Sequence, residues 1–188
     1  MYRTEYVKAL RLLSQAFDIA QAHGAPRPVI VGGSAVEFYT GGEITSGDFD
    51  LVAVQEDLIG EALLQVGFRY EDRRGVRLGG FYHPELLIGV EFVTGPLFEG
   101  RTDQERLRLV VVDEESDARV IFPPPEDLIA DRLGQYASDP KGREDMLEQA
   151  HILASLADNL DVAYLRKRAA EEGADPTIVE GLVAIGAE

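Results

Sequence analysis

The chain has 188 residues, 45% of them hydrophobic, which is enough to bury a sizeable core and excludes a disordered chain. With no cysteine and only three histidines, disulfides, thiol nucleophiles, thiolate zinc sites and histidine-rich metal centres drop out. Eighteen Lys and Arg against 34 Asp and Glu leave a net charge of −16, which repels nucleic acid and anionic membranes at long range.

The N-terminal stretch MYRTEYVKALRLLSQAF has scattered charges and no uninterrupted apolar core, so neither a signal peptide nor a membrane span is expected, and a cytoplasmic location is the default. Apolar residues at Tyr6, Leu10, Leu13, Phe17 and Ala20 predict an amphipathic helix over Thr4–Ala22, ended by Gly24 and Pro26. Val29-Ile30-Val31 is a short β-branched run that stops at Gly32-Gly33-Ser34, the pattern of a strand entering a tight turn and a helix. Gly41-Gly42 breaks that helix, and Asp48-Phe49-Asp50 opens a second strand through Val54. Asp57–Val66 predicts a further helix and Phe68-Arg69-Tyr70 an edge strand, with Glu71–Arg77 as a loop or hairpin tip. Leu86–Val93 and Leu107–Val112 predict central strands, His83 a loop position, and Ala118–Phe122 a returning strand.

Composition changes at Pro123-Pro124-Pro125, after which helical periodicity covers Glu126–Ala137, Gly142–Ala157, Val162–Glu172 and Pro176–Ile185. The expectation is an α/β (α+β) architecture: residues 1–122 form a small mixed sheet with flanking helices, and residues 123–188 a helical C-terminal part. Two basic clusters, Arg69 with Arg73, Arg74 and Arg77, and Arg166-Lys167-Arg168, read as solvated faces rather than as a nucleic-acid patch.

A glycine turn opening a helix aims backbone N–H groups and the positive end of the helix dipole at one point, which suits phosphate, and Ser34 can add a hydroxyl. No GK[ST] follows and GxGxxG is absent, so the Walker and Rossmann readings fall away. Alternation along a strand points Asp48 and Asp50 one way and Phe49 the other. Such a pair can ligate Mg²⁺ and leave positions open for phosphate and water. Glu91 is an acid inside an otherwise apolar strand, and a charge buried without a partner is costly. If its strand lies beside that of Asp48 and Asp50, about 4.8 Å away, the three carboxylates converge. The plainer reading makes Asp48 an Asx-turn residue and Asp50 and Glu91 edge-strand charges.

The order of apolar strand, Gly32-Gly33-Ser34, intervening residues Ala35–Gly47, Asp48-Phe49-Asp50 and the later strand acid Glu91 resembles the DNA polymerase β-like nucleotidyltransferase superfamily. More narrowly, it looks like the small bacterial nucleotidyltransferases of the abortive-infection and toxin–antitoxin type. The segment Pro125–Leu133 followed by Lys141–Asp145 is similar to the helical segment after the sheet in that group. By that resemblance Gly32, Gly33 and Ser34 hold the triphosphate, Ser46 bonds a phosphate oxygen, and Asp48, Asp50 and Glu91 hold Mg²⁺, two ions in all. Glu91 is also the general base toward the acceptor hydroxyl. The chain departs from the family at Ile44, where relatives often carry a basic residue, and at Arg132, where they often carry lysine. Arg132 and Arg143 fit either phosphate or acceptor contacts, or salt bridges with Glu126 or Asp145.

The resemblance implies an Mg²⁺-dependent enzyme that moves a nucleoside monophosphate from an NTP to a tRNA end, a protein hydroxyl or a small molecule such as an aminoglycoside, releasing pyrophosphate. The alternative is a non-catalytic protein on the same fold, an antitoxin or scaffold that binds nucleotide or a partner protein, with the apolar helix Pro176–Ile185 as a handle.

Overall fold

The computed structural model describes residues 1–71 and 80–185. Helix α1 (Thr4–Ala22) buries Tyr6, Leu10, Leu13, Phe17 and Ala20, the stripe set by the 3.6-residue period. It ends where Gly24 takes a φ of +93° and Ala25 donates back to the Ala20 carbonyl. Strand β1 (Val29–Val31), helix α2 (Gly32–Tyr39), strand β2 (Asp48–Val52) and helix α3 (Glu56–Gln65) follow. Then come strands β3 (Arg69–Glu71), β4 (Gly80–His83), β5 (Ile88–Phe92), β6 (Arg108–Asp113) and β7 (Ala118–Phe122), with short 3₁₀ turns at Leu97–Gly100 and Gln104–Arg106.

The strands form one mixed seven-stranded sheet in the order β3-β4-β5-β2-β1-β7-β6. β1 runs antiparallel to β2 and parallel to β7, and β2 runs parallel to β5. Phe49 and Leu51 of β2, Val90 of β5, and Val120 and Phe122 of β7 are buried together with the α1 stripe. Phe49 stacks on Tyr6 with ring centroids 5.3 Å apart. That face of the sheet is the core, and the alternation that buries Phe49 turns Asp48 and Asp50 to the opposite, open face.

Two expectations are corrected. β6 is an edge strand and not a central one, so Leu109 and Val111 are exposed. Its β-branched composition reads as central, but β7 is the strand that enters beside β1. His83 belongs to β4, paired with Ile88, rather than to a loop. The run Glu71–Arg77 divides: Glu71 ends β3, while Arg73, Arg74 and Arg77 lie outside the described residues.

After β7 the chain turns helical: α4 (Pro125–Ser138), α5 (Glu144–Leu156), α6 (Val162–Glu171) and α7 (Pro176–Ile185). Pro125 at the first turn of α4 has the φ the helix needs and no N–H to leave unpaired. The hydrophobic core runs unbroken from the sheet into Leu128, Leu133, Leu153, Leu165 and Leu182. A buried polar lock ties the helices to one another. Arg168 and Asp127 are both fully buried, and Arg168 Nε donates to Asp127 Oδ1 at 2.5 Å. Arg168 also reaches Glu171 and Glu172, and the Tyr164 hydroxyl donates to Asp127. Arg166 pairs with Glu180 at the surface and Lys167 is exposed, whereas Arg168 is fully buried, so the reading of the Arg166-Lys167-Arg168 run as a solvated face is corrected at Arg168.

Removing one partner of a buried ion pair strands the other charge in a medium that solvates it poorly. Arg168→Met is therefore expected to cost about 3–5 kcal/mol in urea unfolding, while Arg166→Met, which breaks an exposed pair, costs under about 1 kcal/mol.

Candidate active site

The site begins where β1 stops. Gly32 takes a φ of +65°, a region that favours glycine, and the chain turns directly into α2, whose first-turn amides have no side-chain cap. Val31 pairs with Asp50 across the β1–β2 ladder, so the Asp50 carboxylate lies against the turn. A Cβ placed on Gly32 would come 1.9 Å from Asp50 Oδ2, and one on Gly33 would come 2.8 Å from Ser46 Oγ. A side chain at Gly32 would have to displace the Asp50 carboxylate, and one at Gly33 the Ser46 hydroxyl. The Ser46 hydroxyl donates to the Asp48 carbonyl at 3.0 Å and lies 3.2 Å from Asp48 Oδ1.

These groups share one open cavity of about 740 Å³. One wall carries Gly32, Gly33, Ser46, Asp48 and Asp50, and α4 and α5 supply Asp131, Arg132 and Gln149. Arg132 is 5% exposed; its Nε donates to Gln149 Oε1 and its Nη1 to Asp131 Oδ2, both at 2.8 Å. The salt bridge is therefore with Asp131 and not with Glu126 or Asp145. Arg143 donates to Gln135 at the cavity rim.

Ser34 and Glu91 stand apart from this group. The Ser34 hydroxyl is fully buried and donates to the Val31 carbonyl at 3.0 Å, so it caps the turn from inside and presents nothing to the cavity. Glu91 is directly in register with Asp50 across the parallel β2–β5 ladder, on the same open face. It is exposed, which removes the argument from a buried charge, and it lines a neighbouring cleft with Glu56, Asp57, Glu61, Tyr70 and Phe81. That cleft meets the main cavity at Thr94, which lines both.

Carboxylates crowd the open face. Burial and then the charges of Asp48 and Glu91 push Asp50 up from the ordinary 3.8 to about 6, against a smaller opposing pull from Arg132. Burial likewise raises Asp131. Among the described residues no three or more His, Cys, Asp or Glu side chains are gathered tightly enough to cage a metal ion. Asp48 and Asp50 stand in the cavity as an open pair of carboxylate oxygen donors, of the kind that hard divalent cations take.

Sequence reading missed Asp131, Gln149 and the Phe98-Glu99 rim. The helical spacing of α4 hides which of its polar residues faces the sheet. Phe98 and Glu99 adopt left-handed φ values of 44° and 56° although neither is glycine.

No protein-family model and no curated protein matches the chain. Solved structures do share its fold. The crystal structure of an antigenic nucleotidyltransferase-like protein from Paracoccidioides brasiliensis aligns over 96% of this chain and 93% of that one, with a TM-score of 0.65 and 15% identity. The antibiotic-resistance factor ANT(2'')-Ia aligns with a TM-score of 0.57 and 13% identity, over 87% of this chain and 90% of its own in solution. In the crystal complex with adenylyl-2''-tobramycin the scores are the same and the coverage is 88% and 97%. The likeness is one of fold: the chain has the nucleotidyltransferase architecture.

Two outcomes follow from the site geometry. Gly32→Ala is expected to lose more than the roughly 1–3 kcal/mol of left-handed backbone strain, because its methyl collides with Asp50. Gly32→Ala/Asp50→Ala should recover the collision part, as read by urea unfolding. Because Asp50 is raised when folded, its ionisation disfavours the native state, so stability falls as pH rises from 3.8 through about 6. Ligand-free Asp50→Asn protein is expected to melt higher than wild type at about pH 8 and to converge with it below about pH 4.

Proposed function

We propose that this protein is an Mg²⁺-dependent nucleotidyltransferase that moves a nucleoside monophosphate from an NTP to an acceptor hydroxyl. The observation that carries this reading is the contact between the Gly32 turn and Asp50, which brings the helix-start amides and a carboxylate pair into one cavity. In this reading the amides at the start of α2 and the Ser46 hydroxyl hold triphosphate oxygens, and Arg132, kept at the cavity wall by Asp131 and Gln149, supplies positive charge. Asp48 and Asp50 would hold Mg²⁺, one or two ions, which neutralises charge on the α-phosphate and the departing pyrophosphate. The acceptor oxygen bonds to the α-phosphorus, the bond from that phosphorus to the bridging oxygen breaks, and pyrophosphate leaves with the electron pair. Glu91, beside Asp50 on the open face, takes the hydroxyl proton.

For the acceptor, a cationic small molecule fits better than RNA. The net charge of −16 disfavours a polyanion, and the adjoining cleft combines Glu56, Asp57 and Glu61 with the rings of Tyr70 and Phe81. A fold neighbour solved with adenylyl-2''-tobramycin adds support for an acceptor of this kind. A protein hydroxyl, as in a toxin–antitoxin pair, is the competing acceptor.

Thermal melting with each NTP, with and without Mg²⁺, tests the reading. A metal-dependent rise with at least one NTP, lost in Asp48→Asn/Asp50→Asn protein, is expected; no shift with any NTP rules out the enzyme. Transfer from α-³²P-labelled NTPs into cell extract then assigns the acceptor, with label in small molecules expected over RNA or protein.

A further inference from the structure

Glu37, in the middle of α2, is completely buried, yet it plays no part in the chemistry above. Its carboxylate accepts from Arg3 Nε at 2.9 Å and from Arg3 Nη2 at 2.7 Å, a two-pronged pair. The same carboxylate accepts from the backbone N–H of Ser46 at 2.7 Å. Arg3 Nη2 also donates to the Ser46 carbonyl at 2.6 Å. One ion pair therefore grips both sides of Ser46, the loop residue that touches Gly33 and reaches Asp48.

The surrounding contacts serve the same loop. The Tyr2 hydroxyl donates to the Phe38 carbonyl, and the Met1 carbonyl lies 3.0 Å from where a Cβ on Gly42 would be. Thr40 accepts from the Ile44 amide at 3.2 Å. An ion pair with Glu37 buried and the Arg3 side chain 35% exposed is a poor device for stability alone. What this pair fixes, and apolar packing would not, is the backbone of one residue, held at both its N–H and its C=O. A displacement of about 1 Å there is enough to misplace a group that must meet substrate.

We infer that Arg3 and Glu37 are positioning residues that hold Ser46 in register with the Gly32-Gly33 turn, so that the first residues of the chain set the affinity of the phosphate pocket. This inference rests on the nucleotidyltransferase reading of the site. Loss of either partner loosens the loop before β2 while the sheet and the α1 core stay in place.

The test uses the full chain and Mg²⁺ with inorganic pyrophosphate, the product the proposed reaction releases, followed by calorimetry. Arg3→Lys keeps a cation beside Glu37 without the guanidinium fork, and Glu37→Gln keeps the shape without the charge. Both are expected to weaken Mg–pyrophosphate binding by about tenfold, the scale for groups that orient a ligand-contacting residue. Ser46→Ala should weaken it too, and Arg3→Lys/Ser46→Ala should bind no worse than Ser46→Ala alone, because Arg3 acts through Ser46. A purely structural role would instead give additive losses. In ligand-free wild type the Ser46 amide should exchange with solvent as slowly as the amides of β2, a readout that stands even if a variant fails to fold. Wild-type affinity in a folded variant, additivity in the double variant, or fast exchange at Ser46 would each overturn the clamp. No Mg–pyrophosphate binding by wild type would instead remove the nucleotidyltransferase reading, and the positioning role with it.

Discussion

The site depends on how closely one backbone turn and one carboxylate approach each other. With a side chain on Gly32 the Asp50 carboxylate would have to move, since the added carbon would lie inside it. Gly33 repeats the condition one residue on, against Ser46. Neither glycine is a generic turn former: each is the space into which a polar group from the following strand or loop fits. The consequence is that an anion-seeking feature, the uncapped start of α2, and a cation-seeking feature, the aspartate pair, lie in contact. The two features are themselves complementary, because a carboxylate is favourable beside a helix N-terminus.

The electrostatics divide the molecule in two. On the closed side buried acids are satisfied: Asp127 by Arg168 and Tyr164, Glu126 by the Asp161 amide, Glu37 by Arg3 and Ser46. On the open side the charges of Asp48 and Glu91 bear on Asp50, and Arg132 is engaged with Asp131 and Gln149. That imbalance holds Asp50 in a poised state near neutrality. The crowding of like charge is concentrated at Asp50, which lines the open cavity.

What could be read from the sequence was local. The period of α1, the breaks at Gly24 and Gly41-Gly42, the ends of α7 and the alternation that puts Asp48 and Asp50 on one face all follow from neighbours in the chain. Pairings across long separations could not be read. The register of Asp50 with Glu91 needed the β2–β5 ladder, and Glu91 turned out exposed. The Ser34 hydroxyl turned inward because β1 ends in a carbonyl within its reach. Arg3 meets Glu37 from 34 positions away, and nothing in either neighbourhood advertises the other. Leu109 and Val111 look like core residues by composition and are placed at the edge by topology alone.

The strand order has a temporal side. β1 lies between β2 and β7, and its partner on the β7 side, Ile121 opposite Val29, is encoded far downstream. On a ribosome adding about 5–20 residues per second, that flank of β1 stays open for roughly 5 to 20 s after β1 itself emerges. The three-residue length of β1 keeps the open edge short during this interval. The wall bearing Arg132 and Gln149 comes later still, so a nascent chain carries the glycine turn and both aspartates well before it encloses a pocket around them.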